Sequence, residues 1–130
     1  MIVSTATGDV AVVAGPVRAK WQSLIRRGML YSECEGVEYW DLPAGSVLPV
    51  RAHDGTEEAV LVLSGAIALH DGQSPPTPAG PGQVLLLPHG TEGELRTHGG
   101  ACTLVVVRAL PGPLARRLPP RLPELPAAER

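Results

Sequence analysis

The sequence contains no phenylalanine, a single lysine and only two cysteines among its 130 residues. It has no run of about 18 consecutive apolar residues, so no membrane-spanning helix is expected. Cys34 and Cys102 lack the short spacing of a paired metal-binding motif. Two unpaired thiols are the ordinary state of a cytosolic protein, so the cysteines predict neither a disulfide framework nor a redox centre.

Neither sign of charge predominates in the sequence. It has 11 basic and 13 acidic residues, for a formal net charge of -2, so neither a nucleic-acid nor a membrane partner is expected. The first fifteen residues lack a basic stretch before their apolar part and contain Asp9. No secretion signal is therefore predicted, and we expect a cytoplasmic protein. The preference for arginine over lysine is typical of GC-rich bacterial genomes.

Short apolar runs bounded by glycine and proline make up most of the chain. The length of 130 residues predicts one domain, and a hydrophobic fraction of 44% predicts that it is folded. Runs of about five residues between turn signals predict an all-β sandwich or barrel. The predicted strands lie within residues 37–42, 46–50, 58–65, 66–72, 83–90, 93–100 and 101–110.

The two ends of the chain differ from this pattern. Residues 10–15 predict a strand, whereas residues 17–27 place Trp21 and Leu24 at helical spacing and predict a short helix or turn. Residues 111–130 are rich in proline, which predicts an extended or disordered tail. The predicted division is residues 1–35 as a strand and short helix packed on a barrel, 36–110 as the barrel, and 111–130 as the tail.

Residues 45–65 resemble the first sequence motif of the cupin superfamily, G-x5-H-x-H-x3,4-E-x6-G. Gly45, His53, Glu58 and Gly65 match the motif. Arg51 stands where the family has its first histidine. Glu57 also fits the spacing when it is counted from the histidine alone, so the sequence leaves open which glutamate faces the interior.

Residues 82–97 resemble the second cupin motif, G-x5-P-x-G-x2-H-x3-N. Gly82, Pro88 and Gly90 match, whereas Gly93 takes the place of the histidine and Thr97 that of the asparagine. The resemblance covers residues 36–110 and implies a single jelly-roll barrel. It is closest to the cupin domains of bacterial anti-sigma factors and to acetylacetone-cleaving dioxygenases.

The resemblance also implies a metal site that is incomplete in this chain. Cupins hold iron, manganese, nickel or zinc with three histidines and a glutamate. Arg51 cannot be a ligand because its guanidinium stays protonated, and Gly93 has no side chain. We therefore expect no metal and no other cofactor. If a metal is bound, the candidate ligands are His53, Glu57, Glu58 and His98, with His89 as a further substitute.

Arg51 and His53 are two residues apart, so in a strand they share one face. We expect both to point into the barrel, where Arg51 would meet Glu58. In this hypothesis Arg51 stabilises an anionic oxygen of the substrate, His53 is the general acid or base, and Glu58 orients one of them. The predicted substrate contacts are Trp40, Val60, Val62 and Leu85 or Leu86.

Three functions remain open at the level of the sequence. The leading one is a metal-independent cupin enzyme that isomerises, cyclises or eliminates from a small, mostly apolar molecule in bacterial secondary metabolism. The second is a metal-dependent dioxygenase or lyase, and the third is a non-catalytic binding or sensory module. A homodimer is expected, formed by Trp21, the N-terminal strand and the tail.

Overall fold

A computed structural model describes residues 3, 8–30 and 33–119 of the chain. The elements are β1 Val10–Ala14, β2 Val17–Arg26, β3 Cys34–Leu42, β4 Val47–Val50, a 3-10 turn Ala52–Asp54, β5 Glu57–Ser64, β6 Ile67–His70, β7 Val84–Leu87, β8 Gly93–Thr97, β9 Cys102–Ala109 and a short helix, α1, Gly112–Ala115. In these residues the strand order is β1-β2-β3-β9-β5-β7 in a six-stranded sheet and β4-β8-β6 in a three-stranded sheet. All strand pairs are antiparallel.

The strands of the barrel coincide with the apolar runs of the sequence, and the all-β prediction is confirmed. The glycines matched by the first motif lie at turns. At Gly65, φ is +72° and an added Cβ would lie 2.1 Å from the carbonyl oxygen of Ala101. Only glycine allows the chain to turn so close to the neighbouring backbone.

The two sheets enclose one hydrophobic core. Its fully buried side chains come from both sheets and include Leu42, Val60, Ile67 and Leu104. In β5 the burial alternates, because residues two apart in a strand face the same side. Val60 and Val62 point inward, and Glu57 at the start of the strand is exposed. This alternation determines which charged side chains reach the interior.

The prediction of a short helix or turn over residues 17–27 is wrong. The segment forms β2, which pairs with β1 on one side and β3 on the other. A bulge at Leu24, between Ser23 and Ile25, inserts one extra residue into the pairing with β3. The inserted residue shifts the alternation, so the apolar residues on either side of it have a spacing that resembles that of a helix.

The predicted division of the chain also needs correction at both ends. The first two strands belong to the six-stranded sheet rather than packing on a completed barrel. The start of the tail forms α1, where Pro113 is in the first turn and Leu114 lies close to Gly55. The tail residues 120–130 lie outside the described part of the chain. Among the described residues, no helix is long and apolar enough to cross a membrane.

Candidate functional site

Arg51 points away from the barrel interior, so the expected inward orientation is wrong. β4 ends at Val50, which is buried in the core. Adjacent residues of a strand face opposite sides, so the residue after Val50 faces solvent. Arg51 is exposed and precedes the 3-10 turn, and no contact between it and Glu58 is found among the described residues.

His53 also lies at the surface. It belongs to the 3-10 turn, and 74% of its side chain is exposed. Its Nε2 lies 3.5 Å from Oδ1 of the neighbouring Asp54, which is itself exposed. The alternation expected from Arg51 to His53 requires a strand through residue 53, and the turn ends that strand first.

The structure settles which glutamate of the first motif faces inward. Glu58 lies in phase with the buried Val60 and Val62, and only 15% of its side chain is exposed. Glu57 is on the opposite face of β5 and is exposed. Glu58 is therefore the motif carboxylate that can take part in chemistry inside the barrel.

The cation that meets Glu58 is Arg108 of β9. The two residues are direct partners in the β5–β9 register, and Nε of Arg108 donates a hydrogen bond of 3.1 Å to Oε1 of Glu58. Nη1 of Arg108 donates to Oε1 of Glu38 on β3, on the other side of β9. The guanidinium thus links two carboxylates from two different strands.

Trp40 completes this polar cluster. Its Nε1 donates a hydrogen bond of 3.0 Å to Oε2 of Glu38. Both oxygens of Glu38 are therefore used, one by Trp40 and one by Arg108. We call Glu38, Trp40, Glu58 and Arg108 the Arg108 cluster. Glu58 is near the start of β5 and Arg108 near the end of β9, toward one end of the barrel, whereas Glu38 is at the middle of β3.

Two atoms of the Arg108 cluster have no hydrogen-bond partner in the part of the chain that the structure describes: Oε2 of Glu58 and Nη2 of Arg108. No buried side-chain nitrogen or oxygen of the described residues lacks a partner. Solvent therefore reaches both atoms, in agreement with the 34% exposure of the Arg108 side chain. The cluster presents an acceptor and a cationic donor to whatever enters this end of the barrel.

The predicted substrate contacts have different positions. Val60 and Val62 are fully buried in the core, so their inferred contact with a ligand is not supported. Leu85 is opposite Val60 in the register and shares its inward face, whereas Leu86 is 69% exposed on the outer face. Trp40 is buried and holds Glu38. Small aliphatic side chains fill the barrel centre, so the core itself leaves no room for a ligand.

The sequence analysis did not identify Arg108 and Glu38 as site residues, although the sequence pattern around each one indicates a buried charge. Each is a charged residue in an apolar strand, in phase with buried positions. Arg108 follows the buried Leu104 and Val106 at intervals of two, and Glu38 precedes Trp40 by two. A charge on the buried phase of a strand needs a partner inside, which predicts pairing between such strands.

Two open grooves lie on the surface of the described residues, and one of them reaches the Arg108 cluster at Glu58. One, of about 660 Å³, is lined by His70, Asp71 and the ion pair of Glu94 with Arg96. Hydrogen bonds from the backbone of Gln73 and Ser74 lower the pKa of Asp71, and its carboxylate serves to hold that loop. The other groove, of about 320 Å³, is lined by Glu57 and Glu58 together with apolar side chains that include the exposed Leu86 and Val107. Neither groove includes Arg108 or Glu38.

The fold is shared with known structures. No family model and no curated protein sequence matches the chain. A predicted oxalate decarboxylase from Thermotoga maritima is 18% identical over 79% of this chain and 92% of its own, with a TM-score of 0.69. An RmlC-like cupin protein from Desulfovibrio desulfuricans is 24% identical over 68% and 79%, with a TM-score of 0.54. The cupin domain of Cnp3 from Schizosaccharomyces pombe is 18% identical over 76% and 69%, with a TM-score of 0.59.

The chain has the cupin fold. The resemblance of its two motifs to those of the cupins is confirmed at the level of the fold. The two motifs also meet in space, because the backbone N–H of Gly45 donates a hydrogen bond of 3.0 Å to Oγ1 of Thr97. Thr97 occupies the asparagine position of the second motif, and it joins the start of β4 to the end of β8.

The side chains at the ligand positions do not fit the metal site that a cupin fold implies. His53 points into solvent and Glu58 is bound to Arg108. The substitutes His89 and His98 are exposed, as is Glu57. Within residues 3, 8–30 and 33–119 no three histidine, cysteine, aspartate or glutamate side chains lie together as a metal-binding group. The guanidinium of Arg108 supplies the positive charge beside the motif glutamate.

The backbone at Gly93 is incompatible with the missing histidine of the second motif. Gly93 begins β8 with φ of +153°, and an added Cβ would lie 2.6 Å from the carbonyl oxygen of His70. β6 and β8 therefore approach too closely for any side chain at this position. The absence of this ligand therefore follows from the close approach of β6 and β8 as well as from the identity of residue 93.

Proposed function

We propose that this cupin is a metal-independent enzyme that removes a proton next to a carbonyl group of a small, mostly apolar organic molecule. Glu58 is the base and Arg108 stabilises the oxygen that becomes negative. The observation that carries the proposal is the pair of solvent-accessible atoms, Oε2 of Glu58 and Nη2 of Arg108, on two groups joined by a 3.1 Å hydrogen bond. This is a base beside an oxyanion donor at the end of an apolar barrel.

In the proposed step, Oε2 of Glu58 takes a proton from the carbon next to the carbonyl. The electron pair of that C–H bond moves into the carbon–carbon bond, and the carbonyl oxygen becomes an enolate oxygen. Nη2 of Arg108 donates a hydrogen bond to this oxygen. Return of the proton to a different atom gives isomerisation. Elimination follows when a leaving group on the next carbon departs with its bonding pair as the carbonyl group re-forms. Cyclisation follows when the enolate carbon bonds to an electrophilic carbonyl carbon of the same molecule, whose π pair moves onto its oxygen, and that oxygen takes the proton from Glu58.

Glu38 and Trp40 have a positioning role in this proposal. Glu38 holds the guanidinium through Nη1, and Trp40 fixes the second oxygen of Glu38. The donor at Nη2 is thereby oriented before a ligand arrives. A preorganised donor stabilises developing charge more than one that must first reorient.

Exchange of hydrogen for deuterium in model ketones tests this proposal without knowledge of the natural substrate. The purified full-length chain is incubated in D₂O with cyclohexanone, 1-indanone and acetophenone, and proton NMR follows deuterium at the carbon beside the carbonyl. We expect exchange above the buffer rate with at least one ketone. Glu58→Gln should slow it about a hundredfold or more, the usual effect of removing a general base.

Glu57→Gln is the matched control, because it removes the same charge one residue away on the outer face of β5. It should leave the exchange rate unchanged. Equal exchange in wild type and Glu58→Gln, or no exchange with any of the ketones, would refute the proposed base.

The second candidate function is non-catalytic binding of a small molecule. It is favoured by the way Glu38 is satisfied by Trp40 and Arg108, since such a network also makes a rigid binding surface. In that case the ketones would shift NMR signals of the protein without exchanging hydrogen. A metal-dependent dioxygenase or lyase has no comparable support, because the ligand positions do not converge among the described residues.

Two further predictions concern the whole molecule. The homodimer stays a prediction, and of the residues expected to form it only those of the N-terminal strand are largely exposed among the described residues. Trp21 packs against the core from β2, whereas Val10 and Val13 of β1 are exposed. Light scattering should give twice the chain mass of 13.6 kDa. A cytoplasmic location likewise remains a prediction, to be checked by cell fractionation.

A further inference from the structure

The charges of the Arg108 cluster do not balance. Glu38 and Glu58 contribute two negative charges and Arg108 one positive charge, so the three side chains carry one negative charge in total. The guanidinium is already paired with both carboxylates. An anion that approached Nη2 of Arg108 would therefore also approach an excess carboxylate.

The unpaired atoms define what a ligand must offer. Nη2 of Arg108 needs an acceptor, and Oε2 of Glu58 needs a donor, because an ionised carboxylate only accepts. A carboxylate ligand supplies two acceptors and leaves Glu58 facing like charge. An ammonium or amidinium ligand supplies only donors and leaves Nη2 facing like charge.

We infer that the ligand of this cupin is an uncharged molecule with a hydrogen-bond acceptor and a donor on neighbouring atoms, carried on an apolar body. Amides, hydroxyketones and ketones with an acidic C–H fit this description, whereas carboxylates do not. The inference rests on the site of the proposed function, but it concerns the charge of the ligand and holds for catalysis or for binding alone.

Three probes of one shape separate these ligand classes: benzamide, benzoate and benzamidine. They carry zero, one negative and one positive charge at neutral pH. Benzamide should bind tightest, and benzoate at least about tenfold more weakly, because like charges brought together without water are costly. Titration is followed by the indole N–H signal of Trp40, which reports on the cluster because Nε1 is bonded to Glu38. The chain has only two tryptophans, so Trp21→Phe assigns the signal.

Glu58→Gln should reverse the discrimination against benzoate. This variant removes the excess negative charge and leaves Glu38 and Arg108 as a neutral pair. Benzoate should then bind about tenfold more tightly than it does to the wild type. An unfolded variant cannot produce such a gain. Glu57→Gln, with the same change of charge on the outer face, should keep the preference for benzamide.

The outcomes separate this inference from the function on which it rests. Tightest binding of benzoate or benzamidine at the Trp40 signal would overturn the inference while leaving a ligand site at the cluster. Failure of Glu58→Gln to improve benzoate binding would also overturn it. No shift of the Trp40 signal with any probe would count against the site itself.

Discussion

Glu58 and Arg108 are 50 residues apart in the chain and face each other directly across the β5–β9 ladder. Their side chains meet inside the barrel, joined from Nε to Oε1 at 3.1 Å. Glu58 is the residue that the first cupin motif assigns to a metal. In this chain its partner is a guanidinium, which is permanently charged and needs no ligand set.

Removal of Arg108 should affect both activity and stability. Arg108→Ala leaves Glu38 and Glu58 inside the barrel without a counter-charge. We expect exchange of ketone hydrogens to fall about a hundredfold or more, as for loss of an oxyanion donor. The free energy of unfolding should fall by about 1–3 kcal/mol, since the site is partly open to solvent. Urea denaturation measures the second effect. Arg108→Lys should recover part of the stability, and full activity in Arg108→Ala would contradict the mechanism.

Substitution of Arg51 or His53 should have little effect on stability or on the exchange rate. Both are exposed beside the 3-10 turn, and neither contacts the Arg108 cluster. Arg51→Ala and His53→Ala should each change the free energy of unfolding by no more than about 0.5 kcal/mol, the usual range for surface substitutions. Their exchange rates with ketones should match the wild type. A large loss of rate in either variant would restore the sequence-based hypothesis that these two residues are catalytic.

A side chain at Gly93 should destabilise the barrel. Gly93→Ala places a methyl group against the carbonyl of His70, and we expect a loss of about 1–3 kcal/mol from this overpacking beyond the backbone cost. Gly99→Ala is the control, because Gly99 has a positive φ of 84° but nothing within 4 Å of an added Cβ. It measures the cost of a side chain at a positive φ where no neighbouring atom is crowded. Equal losses in the two variants, read from thermal unfolding, would show that β6 and β8 do not crowd residue 93.

Cys102 should make the protein less stable in alkali. It is fully buried, and burial raises the pKa of its thiol above the ordinary value of 9.0. Below pH 9 the thiol is protonated in both states, so its contribution is constant. Above pH 9 the unfolded chain loses the proton first, so stability falls as pH rises. Urea midpoints from pH 7 to 10.5 should show this fall, and Cys102→Ala should reduce it. An identical slope in the variant would argue against the raised pKa.

Several features of this protein can be predicted from local sequence alone. The short apolar runs between glycine and proline define the barrel strands, and the motif glycines mark turns such as that at Gly65. The same reasoning identified Glu58 as a motif carboxylate. It was wrong for β2, because a bulge at Leu24 changes the strand period, and the pairing with β1 and β3 outweighs the weak helical preference of the segment.

The site itself depends on which strands are neighbours. Spacing within residues 45–65 could indicate a role for Arg51, but the end of β4 at Val50 turns that side chain outward. The sequence already shows Arg108 and Glu38 as charges in apolar strands. Only the order β3-β9-β5 brings them to Glu58, because cross-strand register joins residues that are 50 and 70 positions apart. Local patterns determine the strands of this chain, and long-range pairing between strands determines its chemistry.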